Sequence, residues 1–267
     1  MNGNKDFFFI DILKWEDIHS YQKKGWVFRG QREPKWKLQS SLERACKTFK
    51  FPLKDADVIE TQLLREFRRK YFHFAGHIPE IDDTLEWLSL MQHYGAPTRL
   101  LDFTYSIYVA CYFAIEDAEN NSVVWAINGP WANKCSGAVF RKNSSQQKFL
   151  QTDITEKNAK DFNPTFMSSH PKIFACPVNP FRLNERIIIQ KGVFVAPGNV
   201  KIPFEENLKA MPRWDKPQNI LKLIIKKEVR EKALESLSNM NISRASLFPG
   251  LEGFAQSLRI SVPKRWD

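Results

Sequence analysis

Apolar residues recur at near-helical spacing between positions 55 and 74, where Val58, Leu63, Phe67 and Tyr71 share a face and Arg65, Arg68, Arg69 and Lys70 fill the others. This spacing predicts an amphipathic helix with a basic flank. Asp82, Asp83 and Thr84 then offer N-cap side chains for a helix over 85–94, which Gly95 and Pro97 stop, leaving His93 and Tyr94 on its last turn. The short apolar run 98–104 reads as a buried strand or extended segment. It leads into an apolar helix over 105–118 whose Val109, Ala110, Phe113 and Ala114 face a core. Runs rich in branched residues at 122–127, 137–140, 186–189, 193–196 and 221–225 predict further strands. Helices are expected over 228–240 and 251–258. The pattern predicts an α+β fold, a mixed sheet flanked by helices, in a single domain whose C-terminal strand and helices occupy 220–267. The polar middle, 143–180, carries Ser144-Ser145-Gln146-Gln147, Asn163-Pro164 and Ser168-Ser169, which predict an insertion or mobile lid.

Composition strengthens the globular reading. With 43 % hydrophobic residues, among them 21 Phe and 8 Trp, the chain has enough apolar area to offset the entropy of ordering, so wholesale disorder is excluded. No apolar run reaches the length of about 18 to 20 residues that a membrane span needs. The opening Met-Asn-Gly-Asn-Lys-Asp lacks the apolar core of a signal peptide, and a cytoplasmic location is expected. Cys46, Cys111, Cys135 and Cys176 are scattered, without a paired spacing or a nearby histidine, and read as buried thiols rather than metal ligands. The acids form no compact cluster, which argues against a metal-dependent nuclease. A net charge of +10 favours phosphate-rich partners, with Lys47, Lys50, Arg65, Arg68, Arg69, Lys222, Lys226 and Lys227 available for nucleic acid.

Two segments concentrate chemistry. In Trp26-Val27-Phe28-Arg29-Gly30-Gln31-Arg32, apolar residues lead to an arginine suited to clamp phosphate or carboxylate, and the glycine behind it permits close approach of backbone or ligand. In Gln92-His93-Tyr94-Gly95-Ala96-Pro97-Thr98-Arg99-Leu100-Leu101-Asp102-Phe103-Thr104, a helix end, a turn and an extended run crowd hydrogen-bonding groups together. Arg99 and Asp102 either pair with each other or face a ligand, and His93 is either a core histidine or part of the same polar cleft.

Phe28-Arg29-Gly30-Gln31, the run Gln92 to Thr104, Ala110 with Tyr112-Phe113-Ala114, and Gln190-Lys191-Gly192-Val193-Phe194 together resemble the FRG-domain family over 26–196. The order of these elements is in turn similar to the ADP-ribosyltransferase fold: an aromatic-Arg-Gly strand, a strand ending in hydroxyl residues before an apolar helix, and a late strand bearing an acid. That resemblance implies NAD as substrate, with Arg29, Gly30 and Gln31 at its phosphates or ribose and Thr104 supporting the nicotinamide ribose. His93, Thr98, Arg99 and Gln190 line the same site, and Tyr94, Tyr105 or Tyr108 stacks on the nicotinamide. It also implies a toxin or phage-defence role, an RNA or DNA acceptor, and an antitoxin or other inhibitory partner. A non-catalytic nucleotide- or nucleic-acid-binding module is the alternative. The late Glu-x-Glu of the transferases is missing and Arg186 stands near its expected catalytic position, so the acid falls to Glu185 or Asp102, with Gln190 a further polar group directly after the expected strand 186–189.

Overall fold

A computed structural model of the chain describes residues 6–74, 76–151 and 161–258. Its centre is a seven-stranded mixed sheet, β1 (Phe9–Ile12), β2 (Trp26–Gln31), β3 (Leu101–Thr104), β4 (Ser122–Asn128), β5 (Ala175–Val178), β6 (Gly192–Pro197) and β7 (Ile220–Ile225). The spatial order is β1-β7-β4-β2-β3-β6-β5. Among the described residues only the β1–β7 pair is parallel, so the sheet is mixed through an edge strand. The α+β expectation holds.

Strand alternation divides the interior in two. Val123, Trp125 and Ile127 of β4 join Val27, Leu101 and Phe103 on one face. Helices α1 (Ser41–Thr48), α2 (Ala56–Tyr71) and α3 (Thr84–His93) precede β3, and α2 and α3 supply Leu64, Tyr71, Leu85, Trp87, Leu88 and Met91 to that face. Val124 and Ala126 point the other way, joining Phe28 and the apolar helix α4 (Ile107–Ile115). Helix α4 is buried almost all round, which explains its unbroken apolar sequence. Among the described residues no helix is long and apolar enough to cross a membrane.

Two local expectations are corrected. Residues 137–140 are not a strand: Asn128 caps α5 (Gly129–Ala138) by accepting from Trp131 N, with Pro130 in its first turn. Residues 186–189 are not a strand either. Asn184 accepts from Ile187 N and starts a short helix, Glu185–Ile189, which Lys191 leaves at φ 48°. The described part of 143–180 contributes Phe149, Leu150, Phe162, Phe166 and Phe174 to the core and β5 to the sheet; residues 152–160 lie outside the described residues. The sequence pattern gave no sign of β1, whose Phe9 is exposed and whose pairing is entirely non-local.

Candidate functional site

The cleft arises where β2 and β3 part. They share one register pair, Phe28 with Thr104, whereas β2 pairs with β4 along its whole length. Beyond that point Arg29 bridges the gap, its Nη1 donating to the Asp102 backbone oxygen at 2.7 Å. The opening that results is a hollow of about 260 Å³ lined by Arg29, Asp102, Thr104, Phe113, Arg186 and Gln190. A smaller hollow of about 60 Å³ continues it past Asp102, Arg186 and Gln190 towards Gln92 and His93.

Each wall has a local cause. Thr104 Oγ1 donates to Gln190 O at 2.7 Å and Tyr105 N donates to Lys191 O at 2.9 Å, so the end of β3 is tied to the turn between the short helix and β6. Gln190 Nε2 donates to Leu247 O, fixing its side chain. Asp102 is exposed and its Oδ2 accepts from Gln92 Nε2 at 3.0 Å. Arg186 is exposed, with its guanidinium 4.7 Å from the Phe248 ring centroid.

The electrostatics favour an anion. Two guanidiniums and one carboxylate line the larger hollow. Arg29 Nε is buried with no hydrogen-bond partner, a costly state for a charged donor and one that an anion would relieve. Burial pushes the Arg29 pKa down, Asp102 opposes that shift, and the charge of Arg44 adds to it. An arginine starts so high that it stays protonated throughout. His93 is likewise lowered, by burial first and then by Arg186, which favours a neutral imidazole at the cleft mouth.

The structure brings together Arg29, Asp102, Thr104, His93 and Gln190 and disperses the other candidates. Gln31 is buried and structural, accepting from Trp125 Nε1 at 2.8 Å and donating to Lys37 O at 3.3 Å. Gly30 lines the hollow, but α4 is what its missing side chain admits: a Cβ there would lie 2.0 Å from Ala110 O. Thr98 is fully buried and bonds Gln92 Oε1. Arg99 does not pair with Asp102. Arg99 lies at a bend before β3 and turns inward to Glu60, its Nε 2.7 Å from Oε2, while Asp102, within the strand, faces the cleft. Glu185 is exposed in the first turn of its short helix and lines neither hollow. Tyr94 is exposed beyond the lining, Tyr105 lies against a separate cavity beside Gly25 and Gly192, and Tyr108 bonds His19 Nδ1 at 2.9 Å, so none of the three faces the larger hollow. The aromatic residues lining it are Phe28, Phe103 and Phe113, the last of which the sequence placed in the core, and Arg186 is its second cation.

Of the basic residues expected to meet phosphate, several are already engaged. Arg68 bonds Thr84 Oγ1, Arg69 pairs with Glu66, Lys222 bonds Pro34 O, and Lys226 pairs with Asp11. Cys46, Cys111 and Cys176 are buried as expected, and Cys135 is half-buried.

Residues 24–122 match the family model of the FRG domain. That span carries β2, β3 and α4, and therefore Arg29, Asp102, Thr104 and Phe113; Arg186 and Gln190 lie beyond it. No curated protein and no solved structure matches the chain.

Proposed function

We propose that the cleft binds NAD through Arg29 and transfers its ADP-ribosyl group to a nucleophile. The observation that carries this reading is the adjacency of three strands: β2 with Arg29, β3 ending at Thr104, and β6 entered through Gln190. The ADP-ribosyltransferase plan has the same sequence of parts, an arginine strand, a hydroxyl strand before an apolar helix, and a late strand.

The chemistry asks little of the protein beyond charge placement. The bond between the ribose C1′ and the nicotinamide nitrogen breaks, and nicotinamide leaves with the electron pair. The acceptor oxygen or nitrogen bonds to C1′ and gives up its proton. An oxocarbenium-like state lies between, and a nearby carboxylate stabilises it by several kcal/mol. Asp102 is the carboxylate lining the larger hollow, so it takes this role, and Glu185 is set aside by its position. The Arg29 guanidinium meets the pyrophosphate, where charge-assisted bonds are strongest. We read the role as that of a toxin or defence effector, which calls for an inhibitory partner in the producing cell.

A second reading is favoured by one observation. Where the transferases carry their late acid, this chain enters β6 with Gln190 and Gly192, an amide and no side chain. The same cleft then holds a nucleotide and performs no reaction.

Calorimetry with NAD and an assay for released nicotinamide separate these readings. Arg29→Ala is expected to weaken NAD binding about 10- to 100-fold, the value of a hydrogen bond to a charged group. Asp102→Asn is expected to leave binding within about threefold and to lower turnover by roughly 10² to 10³. Binding lost with Arg29 but no nicotinamide released by the wild type selects the non-catalytic module. No NAD binding by a folded wild-type chain overturns both.

A further inference from the structure

We propose that a basic groove beside the cleft, lined by Arg32, Trp36, Lys37 and Arg44, binds single-stranded nucleic acid and leads it to Arg29 as the acceptor strand. This rests on the transferase reading of the cleft. The groove has a volume of about 530 Å³ and shares Arg29, Gly30 and Phe113 with the larger hollow, so the two are continuous.

Its charge is strongly biased. Arg29, Arg32, Lys37 and Arg44 line it against a single acid, Asp117. Arg32, Lys37 and Arg44 are exposed, and among the described residues none of them forms an ion pair. The closeness of Arg44 also depresses the Arg29 pKa, so the unliganded groove holds like charges in mutual repulsion. A chain of phosphates removes that repulsion at each step and releases its own counterions.

The walls are built rather than incidental. Gln31, buried against Trp125, holds the backbone oxygen of Lys37, and Lys222 Nζ reaches Pro34 O, so the segment carrying Trp36 and Lys37 is tied at two points. Arg44 projects from α1, and its Nη1 bonds Gln39 O. Trp36 is 45 % exposed, with the Arg32 guanidinium 5.0 Å from its ring centroid. An exposed indole backed by a guanidinium in a basic groove is a stacking platform for an unpaired base. A duplex has its base faces covered, and an acidic peptide has none to stack, so the aromatic ring selects the single strand.

The test is fluorescence anisotropy of the full chain with a labelled 12-nucleotide oligouridylate, with NAD calorimetry on the same samples. The wild type is expected to bind. Arg32→Glu with Lys37→Glu should weaken binding at least about tenfold and reduce the salt dependence, log Kd against log salt, by roughly 1.4 for two lost phosphate contacts. Trp36→Ala should weaken it about 5- to 100-fold. Both variants should melt with the wild type and keep its NAD affinity. Unchanged oligonucleotide binding in the charge-reversed variant overturns the proposal, as does equal or tighter binding of an oligoglutamate or of duplex RNA. NAD binding without oligonucleotide binding also overturns it while leaving the cleft reading intact. Oligonucleotide binding sensitive to Trp36, with no NAD binding, keeps the groove and removes the transferase.

Discussion

Replacing Glu60 with glutamine is expected to lower the melting temperature by about 10 °C, the largest fall for any isosteric change in this protein, because it leaves the Arg99 charge buried and unpaired at a cost of about 3 to 5 kcal/mol. Arg99 is 1 % exposed and Glu60 fully buried. Glu60 accepts from the Arg99 backbone N at 2.8 Å and from the guanidinium Nε and Nη2, while Nη1 donates to Phe166 O. One ion pair therefore joins α2, the approach to β3 and the helix Phe162–Phe166. Thermal unfolding followed by circular dichroism reads the loss directly. Glu60→Leu with Arg99→Met removes both charges and is expected to recover most of it, since an apolar pair of similar volume suits the same space. A Glu60→Gln shift under about 2 °C would mean that water reaches Arg99, against the geometry. Because Arg99 sits three residues before Asp102, the single variant should also loosen the cleft wall and weaken NAD binding.

How far the sequence discloses this architecture depends on whether a feature is local. β4, β6 and β7 were legible because apolar and branched residues fill them, β2 came only with the family resemblance, and α3 and α4 were legible from their caps, stop residues and apolar runs. α2 was legible as a helix, but its expected face is off, since Val58 is 54 % exposed while Ala56, Glu60 and Leu64 are buried. Ile187-Ile188-Ile189 misled for the opposite reason. Three isoleucines favour a strand by propensity, yet Ile188 is 60 % exposed and the cap at Asn184 with the turn at Lys191 imposes a helix. Here the capping signal, an asparagine followed by an acid, was the better guide. The Arg99–Asp102 pairing failed because Arg99, at a bend before β3, meets Glu60 of α2, a partner distant in sequence that no local pattern discloses. Trp36 was not legible at all as a site residue, and Arg186 only through the resemblance, as the residue standing near the position of the missing acid. Their roles depend on Phe248 and on the path of residues 32–37, both fixed by contacts distant in sequence.

Gly30→Ala should be nearly as disruptive, lowering stability by about 3 kcal/mol or more, although it adds a single methyl group. The new Cβ would stand 2.0 Å from Ala110 O and 2.5 Å from Ala114 N. Both are backbone atoms of α4, so no side chain can swing aside, and Ala110→Gly in the same molecule offers no rescue. Either β2 or α4 must move by an ångström or more, in a region where Phe28, Ala110 and Ala114 are essentially inaccessible to solvent. This decides between two accounts of the glycine. If its purpose were to admit a ligand, alanine would spare stability and reduce NAD binding alone. Since α4 occupies that space, the melting temperature should fall first, by about 6 to 12 °C. Gly76→Ala is the natural control, because nothing lies within 4 Å of its added Cβ, and a stabilisation of about 0.4 to 1 kcal/mol is expected from the stiffer unfolded chain. Equal melting temperatures for Gly30→Ala and the wild type would show that α4 stands off β2, and the floor of the proposed cleft would then need redrawing.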